Sequence, residues 1–146
     1  HTGYIKNISF NDVQVTVKGG NPISDTAARP PELGVGQYNV SNLKVQPSFG
    51  LWARHVKAIT ITNSSFNYEN PDSRYALFFD DVIGAKVSDI KLVKAADNPI
   101  IIKLKDCAAF TMGKMLYYNN KWQEQPVEVS SGSDEAGSGI IRFQMK

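Results

Sequence analysis

Three stretches decide the fold: Leu51-Trp52-Ala53-Arg54-His55-Val56-Lys57-Ala58-Ile59-Thr60-Ile61, Leu77-Phe78-Phe79-Asp80-Asp81-Val82-Ile83-Gly84-Ala85-Lys86-Val87 and Ile102-Lys103-Leu104-Lys105-Asp106-Cys107-Ala108-Ala109-Phe110-Thr111-Met112. They align residue for residue at separations of 26 and then 25. Leu51, Leu77 and Ile102 share a column. Ala53, Phe79 and Leu104 share the next, followed by Val56, Val82 and Cys107. Ile59, Ala85 and Phe110 follow, then Ile61, Val87 and Met112, and finally Phe66, Leu92 and Tyr117. Every column is apolar. Within each short run apolar and polar residues alternate, the pattern of a half-buried strand. Helical spacing is not sustained, and the β-branched content disfavours helix.

The pattern extends towards the N-terminus. Ile8-Ser9-Phe10 precedes Ile59-Thr60-Ile61 by 51 residues, about two periods. A repeat of this length with short strands is the signature of a solenoid, in which each unit buries its apolar face against its neighbours. The leucine-asparagine consensus of leucine-rich repeats is absent. The reading is therefore all-β: a parallel β-helix of about four coils, at 1–18, 38–68, 74–96 and 98–118. Residues 19–37 are rich in turn formers and read as a loop excursion between the first coil and the stacked coils of 38–117. Residues 118–146 form an irregular tail, with a flexible stretch from Ser130 to Gly139 and a last strand at Ile140–Phe143. A solenoid end exposes unpaired backbone groups, so this tail reads as a cap. No cap precedes His1. The whole of 1–146 reads as one segment of a larger β-helix with an open N-terminal face.

Composition narrows the function. Sixteen basic and fourteen acidic residues leave a net charge of +2, too balanced to point to nucleic acid or an anionic membrane. No apolar run approaches the length of a membrane span. Cys107 is the only cysteine, so no intrachain disulfide or cysteine-rich metal site is available. It reads as a small buried hydrophobe. No metal site and no cofactor are expected.

Two further stretches carry a family resemblance. Gly50-Leu51-Trp52-Ala53-Arg54-His55-Val56-Lys57 is one, and Asn70-Pro71-Asp72-Ser73-Arg74-Tyr75-Ala76-Leu77-Phe78-Phe79-Asp80-Asp81-Val82 is the other. With Gly3-Tyr4-Ile5-Lys6-Asn7-Ile8-Ser9-Phe10, they resemble the late coils of glycoside hydrolase family 28, the polygalacturonase and rhamnogalacturonase family, over roughly residues 3–105. The resemblance implies a right-handed parallel β-helix. It also implies inverting hydrolysis of galacturonate-containing polysaccharide, a pectic polymer or oligogalacturonide as ligand, and a secreted or periplasmic location. Inverting hydrolysis needs an acid and a base far enough apart to seat a water. The family's catalytic Asn-Thr-Asp, Gly-His-Gly and Arg-Ile-Lys motifs are absent from this chain. Asp80-Asp81 is flanked as in a structural coil, so no catalytic residue carries over. By this alignment the chain starts just after the last catalytic motif, and the N-terminal catalytic part of the same β-helix is its expected partner. Alone, the chain is expected to be inactive.

Neighbouring strand residues point to opposite faces, so Asp80 and Asp81 converge on one bond only if a turn intervenes; a strand-end turn is the expectation. His55 shares parity with Leu51 and Ala53, which places it inward or at a strand end as a structural histidine. The outward rows are Trp52, Phe78 and Lys103, and beside them Arg54, Asp80 and Lys105. Cross-strand pairs of opposite charge contribute roughly 0.2–1 kcal/mol each, so the plain reading of the second row is a structural ladder. The resemblance implies more: Trp52, Arg54, Phe78 and Asp80 would flank the substrate cleft, an aromatic face packing on sugar and arginine pairing with a galacturonate carboxylate. The 19–37 excursion is a candidate cover for that cleft. Two rival classes are a non-catalytic carbohydrate-binding module and a purely structural β-helix.

Overall fold

In the computed structural model, residues 3–93, 97–98, 100–113, 115–118, 122–124, 127–131 and 139–143 are described. The described residues are all-β apart from a short 3-10 turn at Ile23–Ala27 and one helical turn at Val40–Leu43. The strands are β1 (Ile5–Asn11), β2 (Gln14–Gly19), β3 (Ser48–Thr62), β4 (Ser65–Asn70), β5 (Tyr75–Ser88) and β6 (Ile90–Val93). They continue with β7 (Ile100–Lys105), β8 (Thr111–Met112), β9 (Met115–Tyr118), β10 (Trp122–Glu124), β11 (Val127–Ser131) and β12 (Gly139–Phe143).

These strands form two sheets, and the chain alternates between them from β1 to β7. One sheet runs β1-β3-β5-β7, all parallel, and ends on antiparallel β12 and β11; β8 pairs in parallel with β5. The other runs β2-β4-β6-β9, all parallel, and ends on antiparallel β10. The register is the one the repeat dictates. Ile8 pairs with Ile59 and Phe10 with Ile61. Leu51 pairs with Leu77, which pairs with Ile102. Phe66 pairs with Leu92, and Leu92 with Tyr117.

Alternation survives along the long strands because left-handed residues reset it. Positive φ recurs in three columns: His55 (56°), Asp81 (55°) and Asp106 (52°); Asn7 (58°), Ala58 (62°), Gly84 (77°) and Ala109 (54°); Asp12 (58°), Asn63 (48°) and Asp89 (50°). Each such residue turns the chain and restores an inward side chain at the next position. Val56, Ile59 and Ile61 are therefore all buried although their spacing is uneven. Asn, Asp and Gly dominate these corners because they tolerate the left-handed region best. Gly50 has a different cause: a Cβ there would meet the Ala76 carbonyl oxygen at 2.5 Å.

The core is a continuous cluster built from Ile59, Ile61, Phe66, Leu77, Phe79, Val82, Val87, Leu92 and Ile102, with their column mates. Its burial is graded along the stack. Ile59 and Ile61 are 1% and 0% exposed, whereas Ile8 and Phe10, directly above them, are only half-buried. Val15 and Val17 in β2 are half-buried too.

Two boundaries differ from the sequence reading. Strand pairing resumes at Ser48, not at residue 38, so the excursion extends through Pro47. Residues 38–47 lack alternation, and Asn39 starts a helical turn by accepting the Asn42 N–H at 3.0 Å. Within the tail, β11 and β12 pair with each other. The stretch from Ser130 to Gly139 is therefore strand at both ends; residues 132–138 of it lie outside the described residues, as do His1 and residues 94–96 of the third coil.

Candidate functional site

The excursion is anchored at its base by one acid. Asp72 is buried. Its Oδ1 accepts from the backbone N–H and the Nε of Arg74, both at 3.0 Å, and its Oδ2 accepts from Arg74 Nη2 at 2.8 Å. The same Oδ2 accepts the Asn21 N–H at 3.3 Å, and Arg74 Nη1 donates to the Gln46 carbonyl at 3.3 Å. The start and end of the excursion are thus both tied to the loop leading into β5. Burial pushes the Asp72 carboxyl up, but the hydrogen bonds and charge of Arg74 outweigh it, and the group lies below the usual aspartate range.

From that base the excursion crosses the outer face of β3 and β5. The guanidinium of Arg29 sits 4.9 Å from the centre of the Phe78 ring. Pro30 is buried, and its carbonyl accepts from Arg54 Nη1 at 2.9 Å. Beneath it lies the charge ladder. Asp80, 2% exposed, accepts from Arg54 Nε at 2.8 Å and from Lys105 Nζ at 3.2 Å. Burial lowers the Lys105 ammonium, but its bonds to Asp106 and Asp80 outweigh that and raise it above the ordinary value. The Arg54 guanidinium also stacks 4.7 Å from the Trp52 ring centre. The Trp52 indole nitrogen is buried without a hydrogen-bond partner among the described residues.

The neighbouring corner column carries the second cluster. His55 Nδ1 lies 2.7 Å from Asp81 Oδ2, and its Nε2 lies 2.5 Å from Glu32 Oε1. Tyr4 donates to Asp81 Oδ1 at 3.0 Å, which raises the phenol above its ordinary value. Glu32 also pairs with Arg54 Nη1 at 3.4 Å. The hydrogen bond from His55 holds the Glu32 carboxyl below the ordinary glutamate range. Glu32, Arg54 and His55 form part of the wall of a cavity of about 650 Å³. Ile8, Phe10 and Leu51 line its inner side, and Leu33, Tyr38 and Leu43 of the excursion line it opposite.

All four residues expected at a substrate cleft share one face, in the expected register: Trp52 opposite Phe78 and Arg54 opposite Asp80. Their exposure is another matter. Phe78 is 0% exposed under Arg29, and Asp80 is enclosed by two cations. Neither offers an exposed surface in this arrangement. Arg54 has Nε and Nη1 engaged, and Trp52 is half-buried beneath it. His55 is not inward, since its positive φ breaks the parity it shares in sequence with Leu51 and Ala53. A turn does intervene at Asp81, and Asp80 and Asp81 serve different partners. Cys107 is partly buried, packs against the core, and its thiol is pushed up by burial.

Sequence reasoning missed Glu32, Asp72 and Arg74. The signal for the last two was present: an acid and an arginine two residues apart at a strand entry. Glu32 gave no signal, because its partners lie more than twenty positions away. Among the described residues no group of three or more His, Cys, Asp or Glu is placed to hold a metal ion, and no helix is long and apolar enough to cross a membrane. No family model, no curated protein and no solved structure matches this chain.

Proposed function

We propose that this chain is the closing segment of a right-handed parallel β-helix of the family 28 glycoside hydrolase kind, a pectin-degrading enzyme whose catalytic carboxylates lie in preceding coils. The observation that carries the reading is the contrast between the two ends of the stack. At one end β1 and β2 are the outermost strands of their sheets, over half-buried Ile8, Phe10, Val15 and Val17. That edge is the template for a further parallel coil. At the other end antiparallel β10, β11 and β12 turn the two sheets away from further parallel addition. The motif at Gly50–Lys57 and the one at Asn70–Val82 support the family, and the absence of its catalytic motifs supports a non-catalytic role for this segment. The polymer substrate carries with it a secreted or periplasmic setting.

A free-standing carbohydrate-binding module is the second reading. The burial of Phe78 and Asp80 weighs against it, since they would be half of its binding face. Two assays separate the readings. The purified 146-residue chain should release no reducing sugar from polygalacturonate, and native mass spectrometry of the protein from its source should show these coils with a larger catalytic portion, as one chain or as two. Reducing-sugar release by the isolated chain would overturn the proposal, and a lone 16.1 kDa species in the source material would favour the module.

A further inference from the structure

The excursion makes most of its hydrogen bonds within itself. Backbone bonds run from the Asp25 N–H to the Pro22 carbonyl, from Ala28 to Asp25, from Gln37 to Gly34 and from Leu43 to Asn39, at 3.0 or 3.1 Å. Arg29 Nη1 donates to the Thr26 carbonyl at 2.8 Å, and Asn42 Nδ2 to the Gln37 carbonyl at 2.8 Å. Among the described residues a single backbone-to-backbone hydrogen bond leaves the excursion, from the Ser73 N–H to the Asn21 carbonyl at 3.0 Å. Its middle meets the sheet through side chains: Arg54 on the Pro30 carbonyl, Arg29 over Phe78, and Glu32 against Arg54 and His55. A loop with close ends and its own internal bonds can move as one body without breaking them. Both ends here are tied to one pair, Asp72 accepting the Asn21 N–H and Arg74 donating to the Gln46 carbonyl. Gly20 lies beside the first tie with a φ of 92°, and a Cβ built there comes no closer than 3.9 Å to any atom beyond its chain neighbours.

We infer that residues 21–46 are a hinged strap, which opens as one body about Gly20 and the Asp72–Arg74 pair, uncovers the outer face of β3 and β5, and is released by salt. The two ends of the strap respond to salt differently. The clasp is exposed: the Glu32 side chain is 57% exposed and stands 3.4 Å from Arg54, and Arg29 is exposed over Phe78. The hinge is buried, with the Asp72 side chain 0% exposed and 2.8 Å from Arg74. Raising the ionic strength from about 0.01 M to about 1 M shortens the screening length from about 30 Å to about 3 Å, and it weakens exposed pairs far more than buried ones. Salt therefore loosens the clasp and spares the hinge. Opening turns the cavity of about 650 Å³, walled by Trp52 on one side and by Leu33, Tyr38 and Leu43 of the strap on another, into open surface. The strap is a property of this chain alone and does not depend on the family proposed above.

Acrylamide quenching of Trp52 fluorescence tests this on the 146-residue chain, with Trp122→Phe so that one indole reports. Quenching should rise between low and high salt while the unfolding temperature holds. Glu32→Gln combined with Arg29→Gln should reproduce that rise at low salt and remove most of the salt dependence. The open-to-closed ratio should grow by up to about fivefold, the scale of one exposed ion pair. Both substituted residues lie outside the core, so the variant should fold; the salt titration of the protein with Glu32 and Arg29 intact is the second, independent reading. Quenching that is indifferent both to salt and to the double substitution overturns the strap. So does a rise that appears only together with a lowered unfolding temperature, because the sheet itself would then have loosened.

Discussion

The two faces of β3 and β5 are built by different rules. On the inner face, Leu51 stacks on Leu77 and Ala53 on Phe79, each column staying apolar from strand to strand. On the outer face of the same strands, Trp52 meets Phe78 and Arg54 meets Asp80, and the excursion covers the surface. The inner face needs only apolar residues of fitting volume in register. The outer face needs particular partners: a carbonyl for Arg54, a carboxylate for His55, a guanidinium over Phe78. Repetition makes the stack, and chemical pairing makes the cover.

Breaking the inner rule should cost most. Leu77 is 0% exposed in β5, between Leu51 of β3 and Ile102 of β7. Leu77→Ala should lower stability by about 3 kcal/mol, through lost burial and the cavity left behind, as measured by denaturant unfolding. A loss under about 1 kcal/mol would mean the columns are not close-packed.

The outer rule comes next. Asp80→Ala removes the carboxylate between Arg54 and Lys105, both of which keep some contact with water. The expected loss is about 2 kcal/mol, the scale of buried hydrogen bonds to charged groups. Lys105→Ala, at the ladder's more exposed end, should cost less than Asp80→Ala in the same unfolding experiment.

Acid should loosen the cover through its base. The Asp72 carboxyl lies below its ordinary value when folded. Its contribution is therefore fully present above the ordinary aspartate range and is lost as the pH falls through the folded value. Asp72→Asn should flatten the acid limb of a plot of unfolding free energy against pH. An unchanged acid limb would show that the Asp72–Arg74 knot does not anchor the excursion.

The smallest effects belong to the corners. Ala58 and Ala109 hold positive φ in the same column as Gly84. Ala58→Gly should stabilise the protein by up to about 1 kcal/mol, because glycine escapes the left-handed penalty, and Gly84→Ala should destabilise it by a similar amount. No atom outside its own chain neighbours comes closer than 3.7 Å to a Cβ built on Gly84, so the cost there is conformational and not steric.

The same division explains what the sequence disclosed. The inner columns from Leu51 to Ile61 were legible, because a repeat of 26 and 25 residues puts like beside like and one register satisfies them all, whereas buried Phe49, Ala76, Ile101 and Ile90 were not read. The outward rows were legible as rows, since they ride on the same register. Their burial was not. Nothing local to Phe78 or Asp80 says that Arg29 and Pro30 will lie over Arg54 and its neighbours. His55, read as inward or at a strand end, sits at a corner: one left-handed residue shifts parity, and a histidine does not advertise one as Gly84 or Asn63 does. Glu32 lies in an aperiodic segment, so only its three-dimensional partners reveal it.

The proposed function rests on β1 and β2 being edge strands, each paired on one side only among the described residues. Native-state hydrogen exchange on the 146-residue chain, read strand by strand at a concentration where it is monomeric, tests this most directly. The account predicts strong protection through β3 and β5. It predicts weak, alternating protection in β1, where every second amide faces away from β3. Protection in β1 equal to that in β5 would contradict the account, because the edge would then already be paired from within this chain.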